Sequence, residues 1–208
     1  MGTRLRDPFG IALVAATLLF LASCAPAAEL DLEQVESPEE TAAPVEQVPE
    51  SVTYVPPEDC QSLLPRDMQQ DLMAQGISLL RGPGSPSEEP IYVDGESPEE
   101  TVGGLSCFFG IAGDEESVLS IVLSAAPVDP AMRPDIIADL LAQNLNVGQT
   151  TDGTGLTYWI WGDEAIVSAL HNELFEDAWY SALIQPGGRP AYDQAVELVA
   201  GMRQVTTQ

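Results

Sequence analysis

One histidine, three cysteines and 33 carboxylates are the side chains of this 208-residue chain that could do acid–base, nucleophilic or metal chemistry. A Ser–His–Asp or Cys–His site would have to use His171, and no Gly-x-Ser-x-Gly nucleophile elbow accompanies it. His171 is expected to end a strand beside Asn172 and Glu173, an ordinary place for an exposed histidine. The carboxylate runs Glu88-Glu89, Glu99-Glu100 and Asp114-Glu115-Glu116 fall among loop-forming residues, where a solvated surface is the expected reading. Calcium is the functional rival there, but no run follows the Asp-x-Asp-x-Asp-Gly spacing. One histidine and three cysteines build no ordinary zinc cluster. Gly82, Gly84, Gly103 and Gly104 lack the strand-to-helix setting of a phosphate loop, and the chain has no lysine. No catalytic residue, metal or cofactor is expected.

The remaining chemically informative residues are aromatic. All three tryptophans lie between positions 159 and 179. Side chains alternate along a strand, so Trp159 and Trp161 share a face, and Trp179, two strands later, is placed to join them. An open face would be a stacking platform for a sugar or an apolar ligand. A face under helices would be core, and core is the expected reading.

Seven arginines against 33 acidic residues give a net charge of −26. A chain this acidic repels phosphate backbones, which excludes nucleic acid as a partner. Arg4 and Arg6 precede an uncharged apolar run over 11–22, which suits a signal-peptide core and is too short to span a bilayer. Leu21-Ala22-Ser23-Cys24 follows and resembles the bacterial lipobox. The resemblance implies that Cys24 takes a diacylglyceryl group on sulfur and that residues 1–23 are removed as a signal peptide. Two acyl chains give a stable membrane anchor where one is marginal. The competing reading is an uncleaved membrane helix over 9–28, against which Pro26 and the acidic residues behind it argue.

Residues 24–58 then form a tether. Positions 25–58 hold nine acidic residues, six prolines and no basic residue, and cannot bury enough apolar surface to offset their ordering entropy. As a coil this length reaches about 30 Å, and fully extended about 100 Å.

Residues 59–208 are long enough for one α+β domain with a single core. A short helix begins at Pro65, with Leu64, Met68 and Leu72 four apart and Gly76 behind it. Strands are expected over 77–80, 105–111, 118–123, 146–150, 156–161, 165–171 and 178–184, with a brief one over 91–93 inside an otherwise loop-like 82–104. Turns at Gly113 to Glu116, Asp152-Gly153 and Gly162-Asp163 separate neighbours. A helix over 134–145 presents Ile136, Ile137, Leu140, Leu141 and Leu145. The last helix opens at Pro190, with Tyr192, Ala195, Val196, Val199 and Met202 as its apolar face. Strands joined by tight turns are antiparallel. The expected fold is a two-layer sandwich, an antiparallel sheet of about six strands with three helices mainly on one face. With Cys24 assigned to lipid, Cys60 and Cys107 remain, and in an exported chain they read as one disulfide across 46 intervening residues.

Cys60-Gln61-Ser62-Leu63-Leu64, Cys107-Phe108 and the Ala- and Val-rich helix over 191–202 resemble certain small actinobacterial envelope lipoproteins. That resemblance implies a PsbP-like α/β sandwich, an extracytoplasmic location and no assigned activity. The function expected is a binding or accessory module held at the outer face of the cell membrane, its partner an envelope protein or an apolar or saccharide ligand. A lipid carrier is one alternative and predicts an apolar cavity of several hundred Å³. A carboxylate-based envelope hydrolase is the other, and predicts facing carboxyls with a raised pKa.

Overall fold

Short turns and alternating apolar strands leave little choice of topology, and a computed structural model of the chain shows the outcome. It describes residues 53–86, 102–113 and 117–208. Cys24, the signal segment, most of the tether, the 91–93 strand, Glu88-Glu89, Glu99-Glu100 and Asp114-Glu115-Glu116 lie outside the described residues. Within them the elements run α1 (Arg66–Ala74), β1 (Ile77–Arg81), β2 (Leu105–Ile111), β3 (Ser120–Pro127), α2 (Arg133–Ala142), β4 (Asn146–Gln149), β5 (Leu156–Ile160), β6 (Ala169–Leu174), β7 (Ala178–Gln185) and α3 (Arg189–Val205).

The domain is α+β, and its sheet has seven strands rather than six, in the order β1-β2-β3-β7-β6-β5-β4, every pair antiparallel. Two meanders, β1 to β3 and β4 to β7, join through the long central pair β3–β7. The register places Cys107, Leu123, Ala182, His171 and Trp159 in one row with Asn146 at its end. Paired residues share a face. On this face α1 and α3 cover the larger core, in which Leu63, Leu72, Leu123, Tyr180, Ile184, Val199 and Met202 are buried. The opposite face carries the smaller core of Val128, Ile136, Leu140, Tyr158, Leu174 and Trp179 beneath α2. Two helices thus lie on one face and the third on the other.

Three local expectations change. Helix α2 stops at Ala142, where Asn144 takes a left-handed φ of 56°, so Leu145 falls outside it. Strand β6 begins at Ala169 rather than 165, because the Asp163 carboxylate accepts from the N–H groups of Ala165, Ile166 and Val167 and curls that stretch into a loop. The fold also begins no later than Thr53, ahead of the expected start at Asp59. Thr53 and Gln208 exchange backbone hydrogen bonds of 3.0 and 3.1 Å, Tyr54 bridges Thr207, and the Tyr54 ring packs edge-on against Tyr180.

The Cys60–Cys107 disulfide is present and ties the segment before α1 to the row-forming residue of β2. Both sulfurs lie in the larger core. Gly82 passes directly beside them. Its φ is +110°, and a Cβ there would stand 2.8 Å from the Cys60 Sγ and from the Ser106 carbonyl, so only glycine fits. Closing a loop this long constrains the unfolded chain by about 4 kcal/mol in the entropy model.

Candidate functional site

Helix α3 lies mainly over β6 and β7. Strands β4 and β5 continue the sheet past it and leave a ledge at the sheet edge. Asn146 pairs with Trp159 and Gly148 with Thr157, so these four share the ledge face. Trp161, two residues beyond Trp159, projects the same way.

Trp159 and Trp161 stack, with ring centroids 5.6 Å apart and planes at 25°. The first turn of α3 supplies the wall. Tyr192 sits 5.3 Å from Trp159 and 6.4 Å from Trp161, and the Arg189 guanidinium lies 5.1 Å over the Trp161 ring. Arg189 Nε also donates to Asp193 Oδ1 at 2.7 Å, an exposed pair one helical turn apart. The start of α3 is fixed against β5 because the Gly188 N–H donates to the Trp161 carbonyl at 2.7 Å. Trp161 keeps 44% of its surface exposed, and Trp159 is half-buried.

His171 lies behind this strip and not at a strand end. It is the third residue of β6 and only 4% exposed. Its Nδ1 is 3.4 Å from the Tyr192 hydroxyl and its Nε2 is 3.3 Å from Glu173 Oε1. Both ring nitrogens are thereby engaged, and the imidazole braces Tyr192 against the sheet.

Trp179 does not join the other two. Its register partners are Leu174 and Ala126, on the face that α2 covers. It is 2% exposed and its Nε1 donates to Asn172 Oδ1 at 3.1 Å. Two tryptophans thus form a surface strip and the third is core. Tyr192 and Arg189 belong to the strip, which strand alternation alone does not reveal. The readable signal was an arginine and an aromatic three residues apart in the opening turn of a helix, neighbours on one helix face.

Two of the described carboxylates serve structure. Asp152 is held well below the usual carboxylate range by the Thr150 hydroxyl first, then the Thr154 backbone N–H, with Arg203 at 2.8 Å. Asp163 is lowered by the backbone N–H groups of Ile166, Val167 and Ala165. Among the described residues no three His, Cys, Asp or Glu side chains come together as a metal site. A cleft of about 240 Å³ opens between α1 and β1, floored by Phe109 and Leu79 and walled by Leu72, Met73 and Gln69, with Cys60 at its base. No described helix is long and apolar enough to cross a membrane. The chain matches no protein-family model, no curated protein and no solved structure with which it was compared.

Proposed function

We propose that the chain is a lipoprotein anchored through Cys24 at the extracytoplasmic face of the cell membrane, whose domain is a non-catalytic binding or accessory module of the envelope. The observation that carries the binding reading is the stack of Trp159 and Trp161 beside the first turn of α3, with Trp161 left exposed. Large aromatic surface kept in water marks recognition more than stability. The buried Cys60–Cys107 bridge supports the compartment, since such bonds persist where the surroundings oxidise. The lowered Asp152 and Asp163 are poor proton donors at neutral pH, which speaks against their serving a hydrolase as general acid. The PsbP-like relationship of the domain remains part of this proposal.

The cleft beside α1 favours a second, narrower reading. At about 240 Å³ it suits one apolar side chain or a short acyl segment, where a carrier of whole lipids calls for more room. The anchoring is tested by growing a bacterial host on alkyne-palmitate. The full chain should become labelled and lose residues 1–23, and Cys24→Ser should do neither. An unlabelled wild-type chain that keeps residues 1–23 would overturn the address.

A further inference from the structure

We propose that the loop over 161–167 is a docking knob for a basic partner protein, whose amphipathic helix lays its apolar stripe across Trp161, Ile166 and Val167. The inference deepens the binding-module reading above, on which it rests, and does not depend on the membrane address.

The loop holds apolar side chains out in water. Ile166 is 82% exposed, Trp161 44% and Val167 43%, three large hydrophobic residues in one short connection. Single exposed hydrophobic residues are ordinary, but three gathered on one rigid turn mark a contact surface. The rigidity is built in. Asp163 Oδ1 accepts from the Ala165, Ile166 and Val167 N–H groups, and the Asp163 N–H donates to the Val167 carbonyl at 2.8 Å. Gly162 and Gly187 lie against that same carbonyl so closely that neither has room for a side chain. The Gly188 N–H ties Trp161 to the start of α3. A surface ordered in advance loses little entropy on binding.

Charge selects the occupant. Asp163 and Glu164 stand exposed in the loop itself, and Asp193 is exposed one turn into α3. Arg189, the cation among them, is already bonded to Asp193. Hydrogen bonds from three N–H groups keep the Asp163 carboxylate ionised. The apolar residues are thus bordered by an excess of negative charge. A second copy of this chain, at −26, would be repelled, and so would anionic lipid headgroups. A helix with Lys or Arg on either side of its apolar stripe satisfies both the apolar residues and their border. Such a stripe is narrow enough for three side chains to engage.

The test uses the full chain in zwitterionic detergent micelles and a fluorescein-labelled synthetic helix of Leu and Lys about four turns long. Peptide anisotropy, corrected against protein-free micelles, should show saturable binding with Kd on the order of 100 μM. Ile166→Ser should weaken it about tenfold, the scale of one apolar side chain leaving a contact. Glu164→Gln should weaken it about twofold at low salt and not at about 1 M NaCl. Leu141→Ser, 52% exposed on the other face of the sheet, should change nothing. The Trp179 indole N–H resonance, bonded to Asn172, verifies folding of each variant. Absence of saturable binding below about 1 mM overturns the inference, as does equal binding of the same peptide with every Leu replaced by Ser. Binding that Ile166→Ser leaves unchanged overturns the knob as well. If Trp161→Ala then abolishes that binding, the module reading stands without the knob; if it does not, both fall. Two further results would overturn the choice of partner. Quenching by brominated phosphatidylglycerol vesicles that Trp161→Phe removes would seat a membrane on the loop, and a dimer abolished by Ile166→Ser would seat a second copy there.

Discussion

Asp163 shows how much one exposed carboxylate can organise. Its Oδ1 accepts from three successive N–H groups, at 2.9, 2.6 and 3.0 Å, and these bonds to the ionised form lower its pKa. A folded pKa below the unfolded one gives stability that is complete above the ordinary value of 3.8 and is lost as pH falls through the folded value. We expect the Asp163 carboxyl, followed by carbon-detected NMR, to titrate below 3.8, and Asp163→Ala to speed exchange of the Ala165, Ile166 and Val167 amides at neutral pH. A titration at or above 3.8 would show that the loop is held some other way. The Gly162-Asp163 turn was legible from the residue pair. The triple acceptance was not, because Ala165 to Ser168 read equally well as the start of an apolar strand. His171 was expected at the end of that strand beside Asn172 and Glu173, whereas β6 runs on to Leu174 and places it inside, behind Tyr192.

Strands were the readable elements. Their boundaries came from turn residues such as Asp152-Gly153, which take special backbone conformations and so announce themselves. Helix faces were harder. Periodicity marks which residues lie on one side of a helix, but the width of the buried stripe depends on what that helix packs against. Helix α2 covers only part of one sheet face, and of its five expected apolar contacts Leu140 is 1% exposed while the adjacent Leu141 is 52% exposed. The two are therefore a matched pair for experiment. Leu140→Ala should cost about 2–5 kcal/mol in urea unfolding, and Leu141→Ala under about 0.5 kcal/mol. Similar losses for both would mean that something else covers Leu141. Trp179 illustrates the same gap from the strand side. Alternation placed Trp159 and Trp161 on one face, although β5 ends at Ile160, but the relation between β5 and β7 depends on register, which the spacing of residues does not encode.

Taken together, the described residues are fastened at both ends of the chain they contain. Tyr54 and Tyr180 pack edge to face, and the Tyr180 hydroxyl lies 2.7 Å from that of Thr206. Burial pushes Tyr180 up to about 12, and Tyr54, also chiefly by burial, higher still. Folded values above the ordinary 10.0 mean that this contribution is intact below pH 10 and is lost as pH rises toward 12. Alkaline unfolding followed by phenolate absorbance should show these two rings ionising together with loss of the fold. Early, independent ionisation of both would contradict their burial.

The pairing of residues 53–55 with 206–208 also fixes a direction. The chain enters the domain at the C-terminal end of α3, and Arg189 and Tyr192 stand at its N-terminal end. A helix of 17 residues is about 25 Å long. The aromatic ledge therefore stands about a helix length from the point where the chain enters the domain, and α3 is the spar that sets that distance. Shortening that spar would bring the ledge toward the chain's point of entry.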